Sequence, residues 1–263
     1  MQGEPVKRIL ITNDDGFEAD GLAALVEAVR PLGHVTVVAP ASEKSACGHS
    51  ITLTRPLRFI SIDDDFYKLD DGTPSDCIYL SLHSLFSDRK PDLVISGINR
   101  GSNMGEDITY SGTASAAMEA TLHGIPAFAI SQVLQGDEWG KKHDYELARE
   151  AAYTIARKLL SGEFPLSERR FLNVNVPSIK PEACRGYAVT KAGYRYYGND
   201  AHLHTNPRGE EYYWLGLHPL QWEPDEASDF DAIKANKISI TPIKMDMTCH
   251  DSIRNLQSWI DEA

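Results

Sequence analysis

The stretch ILITNDDGFEADGL, residues 9 to 22, sets two carboxylates side by side, Asp14 and Asp15, where an apolar run breaks off. Like charges within hydrogen-bonding reach raise each other's pKa unless a cation compensates, so the pair reads first as one wall of a metal site. On a continuing strand adjacent side chains point to opposite faces, but Gly16 permits a turn in which both carboxylates reach one ion. An isolated DDG is more often a solvated turn, so the remaining walls must come from elsewhere in the chain.

Two further strand ends offer them. The run HVTVVAP is followed by Ser42, Ser45 and Ser50, and DLVISG leads into Ser96, Gly97, Asn99 and Asn103. All three ends are rich in oxygen ligands and hold no thiolate cluster or paired histidine, a set that selects Mg²⁺, Mn²⁺ or Ca²⁺ over softer metals. The Gly-rich segment from Ser96 to Thr113 is long for a loop within a compact domain, and loops of that length are usually functional or mobile. It ends in Ser111, Gly112, Thr113 and Ser115 at a helix start, where free N–H groups and the helix dipole favour an anion. A plain N-cap by Ser111 or Thr113 is the competing account, and the two can coexist.

A metal beside a phosphate cradle suits a demanding hydrolysis. Phosphate-monoester cleavage needs up to about 10²¹-fold acceleration, whereas one general acid or base contributes about 10²–10⁴, so the metal and fixed donors must carry most of the barrier. His49 is a candidate proton donor to the leaving oxygen.

The elements that must position these residues follow from periodicity. From residue 8 to about 175, β-rich runs alternate with amphipathic windows, the signature of a mostly parallel α/β sheet with helices on both faces. RILITN, HVTVVAP, DLVISG, IPAFAIS and FLNVNVP are expected as five core strands. Asp20 is expected to cap a helix carrying Leu22, Leu25, Val26 and Val29, with Gly33 at its C-cap. ITLTRPLRFISI and FYKL form a β excursion, GTPSDCIYLSLHSLF a helix with Pro74 in its first turn, SGTASAAMEATLHG a helix closed by Gly124, and DYELAREAAYTIARKLL a long amphipathic helix. After Pro177 the chain turns Tyr-, Gly- and His-rich, and TNPRG between aromatic runs predicts a hairpin. KISITPI and DSIRNLQSWIDEA then predict a further strand and a terminal helix. This divides the chain into a core over 1–177 and a C-terminal hairpin and tail over 178–263 that returns to the core.

Composition narrows the function. In 263 residues, 42% hydrophobic and 24% charged, a sizeable core can be buried, and a net charge of −12 argues against a nucleic-acid polymer as partner. The four cysteines are dispersed, without a CxxC pair, so free thiols in a reducing, cytoplasmic compartment are expected. No apolar run reaches membrane length, and no membrane partner is expected.

Taken together, ILITNDDG, VVAPASEKSACGHSITL, GTPSDCIYL, PDLVISGINRGSNMGEDITYSGTASAAMEA, NPRGEEYYW and SITPIKMDMT span nearly the whole chain and resemble the survival protein SurE family of metal-dependent nucleotidases. The resemblance implies a Rossmann-like core, one divalent cation per subunit (Mg²⁺ or Mn²⁺), and hydrolysis of nucleoside 5′- and 3′-monophosphates, with short polyphosphate as a further substrate. It implies that Asp14, Asp15, Ser45 and Asn99 ligate the metal, that Asp14 and Asn103 are catalytic, and that Ser111, Gly112 and Thr113 bind phosphate. It also implies a homodimer or homotetramer assembled through the aromatic runs YRYYG and EEYYWLG. FEADGL departs from the family's commoner APGL after NDDG, and ANKIS from its Gly-Tyr-containing stretch, which bears on substrate preference and assembly.

Two other phosphate chemistries fit less well. A signalling receiver domain needs an acceptor aspartate at the end of its third core strand, where this chain has Ser96 and Gly97. A haloacid-dehalogenase-type phosphatase needs DxD with a nucleophilic first aspartate, and NDD favours an activated water instead.

Overall fold

The structure, a computed structural model, describes residues 5–134, 143–162, 169–196, 201–215 and 221–262. In chain order the elements are β1 (Arg8–Thr12), α1 (Asp20–Val29), β2 (His34–Pro40), β3 (Arg58–Asp63), β4 (Phe66–Asp70), α2 (Pro74–His83), β5 (Leu93–Arg100), α3 (Gly112–Leu122), β6 (Ala127–Val133), α4 (Glu146–Leu160), β7 (Arg170–Pro177), β8 (Tyr187–Val189), β9 (Ala201–Thr205), β10 (Glu211–Leu215), α5 (Asp229–Lys234), β11 (Ile238–Lys244) and α6 (Ile253–Asp261). The main sheet runs β3-β4-β2-β1-β5-β6-β7-β11-β8. Its centre, β2 to β7, is parallel throughout.

Strand alternation builds both layers of the core. Ile9, Ile11, Leu93, Ile95, Phe128 and Ile130 face α1 and α4, while Leu10, Val94, Ala127 and Ala129 face α2 and α3. The chain steps from β1 out to β2 and then returns to β5 on β1's other side. The crevice at the carboxyl ends of β1 and β5 is therefore a topological switch point, where ligands of open α/β sheets collect.

Several local expectations are corrected. Asp20 does not cap α1: Ala19 occupies the N-cap without a side-chain bond and Asp20 opens the first turn. Gly33 follows a 3₁₀ turn at Arg30–Leu32, and its need is steric, since a Cβ there would lie 2.4 Å from the Lys7 carbonyl oxygen. Residues 51–57 lie outside any strand, so the β excursion is only the β3–β4 pair added to the sheet edge. The strand expected to stop at Gly97 continues to Arg100 through a register shift between Ser96 and Asn99, and a 3₁₀ turn at Gly105–Thr109 fills much of the expected loop. Pro74 does sit in the first turn of α2, behind a reciprocal cap between Thr73 and Asp76.

After Pro177 the chain returns to the sheet, because β11 pairs antiparallel with β7. The hairpin β9–β10 stands apart as its own two-stranded sheet, turning at 206–209. Tyr197, Gly198 and Gly216 of the aromatic runs lie outside the described residues. No helix among the described residues is long and apolar enough to cross a membrane.

Candidate active site

Two hydrogen bonds and a glycine shape the turn around Asp14. Asn13, fully buried, donates from Nδ2 to the Gly16 carbonyl at 2.9 Å, and Gly16 takes φ +99°, where a Cβ would crowd the Ser42 carbonyl carbon at 3.3 Å. The Lys44 N–H donates to the Asp14 carbonyl at 2.7 Å and ties the Ser45 loop to the acidic turn.

Asp14 is buried against the start of α3. Its carboxylate accepts the Thr113 hydroxyl on one oxygen and the Thr113 backbone N–H, at 3.2 Å, on the other. Gly112 makes this approach sterically feasible: a Cβ there would lie 2.9 Å from both Asp14 Cβ and Cys47 Sγ. Burial pushes the Asp14 carboxyl up to about 6, opposed by the Thr113 hydroxyl bond and reinforced by the charge of Asp15. Asp15 is also raised, again chiefly by burial, against the pull of the Arg100 N–H that donates to it at 3.0 Å.

The other candidate ligands are distributed around this pair. The Asp15–Arg100 bond brings the acidic turn to the end of β5, next to Asn99, whose Nδ2 donates to the Gly101 carbonyl at 2.9 Å. The Asn99 Oδ1 accepts no hydrogen bond from the described residues. The Ser45 hydroxyl is exposed and donates to Glu43 at 2.8 Å. No group of three or more His, Cys, Asp or Glu among the described residues is placed to hold a metal. The candidate set is of another kind: two carboxylates with a hydroxyl and an amide.

The helix start is partly occupied by the protein itself. Ser111 is the N-cap of α3, accepting the Ala114 N–H at 2.9 Å, and Thr113 is committed to Asp14. The capping account of this segment holds, and the acidic group seated at the helix start is the chain's own Asp14. The Gly112 N–H has no partner among the described residues.

Asn103 is held by residues that the sequence reading did not single out. Its N–H donates to Asn175 Oδ1 at 2.9 Å, its carbonyl accepts Nδ2 of Asn173 and Asn175 at 2.7 and 3.0 Å, and its own Nδ2 donates to the Ser131 hydroxyl at 2.7 Å. The signal was present in FLNVNVP, where two asparagines two apart share one face of a buried strand.

Beyond Asp15 lies a cavity of about 180 Å³ lined by Asp15, Asp20, Glu43, Arg100, His143 and Tyr145. His143 Nε2 is buried there without a partner among the described residues. Nothing in KKHDYEL marks His143 out before folding.

His49 is bonded to Glu119 on α3. Glu119 accepts His49 Nε2 at 2.7 Å and His123 Nε2 at 3.0 Å, one on each oxygen. Burial raises the Glu119 carboxyl, but the bonds and charges of His49 and then His123 outweigh it and leave it below the ordinary glutamate value. A depressed carboxyl contributes stability above its unfolded pKa and loses it as pH falls through the folded one. Glu119→Gln should therefore lower the unfolding free energy near neutral pH by about 1–3 kcal/mol, with the difference narrowing in acid, below the ordinary value of about 4.3. Urea unfolding of both proteins across that range measures it.

The family model of the survival protein SurE matches residues 9–199. The 5′-nucleotidase SurE of Wolinella succinogenes is 61% identical over 259 residues, covering 97% of this chain and 100% of that protein. The 5′-nucleotidase SurE of Aliarcobacter butzleri is 59% identical over 261 residues, with the same coverage of 97% and 100%. Among solved structures, the SurE protein from Aquifex aeolicus superimposes with a TM-score of 0.84 at 38% identity, covering 97% of this chain and 100% of that one.

Proposed function

The chain belongs to the survival protein SurE family, and on that ground we infer that it is a 5′-nucleotidase releasing phosphate from nucleoside 5′-monophosphates. One observation carries the reading to this site. The buried Asp14, with Asp15 half-buried beside it, touches a helix start at the topological switch point, so cation-seeking and anion-seeking groups share one crevice.

The donor set suits one Mg²⁺ or Mn²⁺ per subunit. Burial raises both carboxyls, with the charge of Asp15 adding to the rise at Asp14 and Arg100 opposing it at Asp15; Asn99 has an open Oδ1, and the Ser45 hydroxyl can turn from Glu43. When bound, such an ion polarises the phosphate and lowers the pKa of a water. The chain's own residues would do the positioning. The Ser111 hydroxyl, the Gly112 N–H and the second Asn103 amide hydrogen meet the phosphoryl oxygens, and the Asn173–Asn175–Ser131 network keeps Asn103 from turning away. Nucleoside 3′-monophosphates and short polyphosphate would use the same cradle. Leu203, Tyr213 and Trp214 on the hairpin, with Leu256 and Trp259 on α6, are exposed apolar groups suited to a homodimer or homotetramer.

Phosphate release from a panel of nucleoside monophosphates, each with Mg²⁺, Mn²⁺ or EDTA, tests the reading. Turnover that requires the ion is expected. No release under any condition would make the chain a binding protein without chemistry.

A further inference from the structure

The mechanism above does not use Asp229, a buried carboxylate with neither the helix-capping role of Asp76 nor the histidine partners of Glu119. Asp229, at the start of α5, is fully buried and lies beyond the stretch matched by the family model. It carries no salt bridge to a described residue; instead it accepts three backbone N–H groups. Oδ1 takes Gly193 and Phe230, both at 3.0 Å, and Oδ2 takes Gly105 at 2.8 Å. Gly105 lies two residues after Asn103 and opens the 3₁₀ turn that delivers the chain to Ser111. A second tie runs alongside, with the Arg195 N–H donating to Glu106 at 2.7 Å and the Arg195 guanidinium paired with Asp107. The contact is close-packed: a Cβ on Gly105 would lie 2.5 Å from the Gly193 carbonyl oxygen and 3.0 Å from the Phe230 ring.

We propose that Asp229 is a positioning residue of the nucleotidase site: it clamps the Gly105 N–H, so that the C-terminal segment fixes the loop presenting Asn103 and the phosphate cradle. The side chains of Asn173 and Asn175 on β7 hold the Asn103 backbone, and Asp229 holds the turn that follows. Bonds from N–H groups to an ionised carboxylate are roughly twice as strong as neutral ones. Near-attack geometry is sensitive to displacements of about 1 Å, so loss of one tie reaches the chemistry without unfolding the sheet.

The asymmetry of the carboxylate supplies the test, which rests on the nucleotidase reading for its activity arm. In Asp229→Asn the amide oxygen can keep Gly193 and Phe230, and its NH₂ then faces the Gly105 N–H, so that one bond is cut selectively. In the full-length, metal-loaded protein, kcat for a nucleoside monophosphate should fall about tenfold while unfolding stays cooperative, and amide exchange at Gly105 should accelerate. In an Asn103→Ala background the same change should cost less than about threefold, since interacting sites are non-additive. A merely destabilising change would add in both backgrounds. Should Asp229→Asn not fold, Glu106→Ala removes the exposed half of the second tie, leaving the Arg195–Asp107 pair, and should show the same non-additivity with a smaller loss. Wild-type kcat in Asp229→Asn, or equal losses in both backgrounds, overturns the clamp. A wild-type protein inactive on every nucleotide would instead refute the nucleotidase reading, and Gly105 exchange would still decide the clamp.

Discussion

Asp14→Asn is expected to lower metal-supported phosphate release by about 10³-fold or more in kcat, because it removes the buried carboxylate of the acidic pair, the one that touches the helix start. The substitution keeps the shape of the side chain and one oxygen to accept from Thr113, so the fold should persist. The pH dependence gives an independent check. The Asp14 carboxyl sits at about 6 in the folded chain against 3.8 for the free group, so the folded state holds this proton more tightly than the unfolded one. Stability is therefore lost as pH rises through that window and stays lost above it. At about 1.4 kcal/mol per pH unit, ionising Asp14 costs roughly 3 kcal/mol in the metal-free protein. Metal-free Asp14→Asn should accordingly be more stable than the metal-free wild type at pH 8 and match it near pH 4. Added Mg²⁺ or Mn²⁺ should stabilise the wild type much more than the variant. Thermal unfolding at the two pH values, with and without the ion, reads all of this, and a variant that retains metal-dependent turnover would remove Asp14 from the site.

Gly112→Ala should cost about 10²-fold in kcat/KM for a quite different reason. The added methyl would lie 2.9 Å from Asp14 Cβ and Cys47 Sγ and 3.0 Å from Asp14 Oδ2. Asp14 Cβ is fixed to the end of β1 and cannot swing aside, so the helix start must retreat from the acidic pair. Alanine's helix propensity favours the change by about 1 kcal/mol, whereas overpacking costs about 1–3 kcal/mol, so a modest net destabilisation is expected. The larger effect is on activity, since displacement separates the Gly112 N–H and Thr113 from Asp14 by a distance comparable with the tolerance of the reaction. Urea unfolding and phosphate release on the same preparation separate the two. Full activity in Gly112→Ala would show that cradle and acidic pair need not touch.

The adjacency of Asp14 and Asp15, the helix start at Ser111 and the oxygen-rich strand ends were all legible before folding, because each is a property of neighbours in sequence. So were β1, β2, β6 and β7, as apolar runs buried on both faces, and α3, bracketed by Ser111 and Gly124. Local signals failed where a longer contact outweighed them. Asp20 has capping chemistry, yet the chain enters α1 at Ala19, where the Phe17 N–H is tied to the Pro40 carbonyl at 3.0 Å. β5 runs past its Gly because its far end still pairs with β6. The short α5 was missed, although Ser228 caps it by accepting the Asp231 N–H, because DFDAIK is too brief to declare a period.

The sequence by itself determined the alternation of strand and helix and the gathering of oxygen-bearing side chains at three strand ends. Only the tertiary structure decided who meets whom. Thr113 reaches Asp14 across 99 positions, Asn175 reaches Asn103 across 72, and Asp229 reaches Gly105 across 124. Periodicity specifies which face of an element is buried, but the order of strands in the sheet specifies which buried faces are neighbours. That order arises from the collective burial of both sheet faces, so no local stretch encodes it.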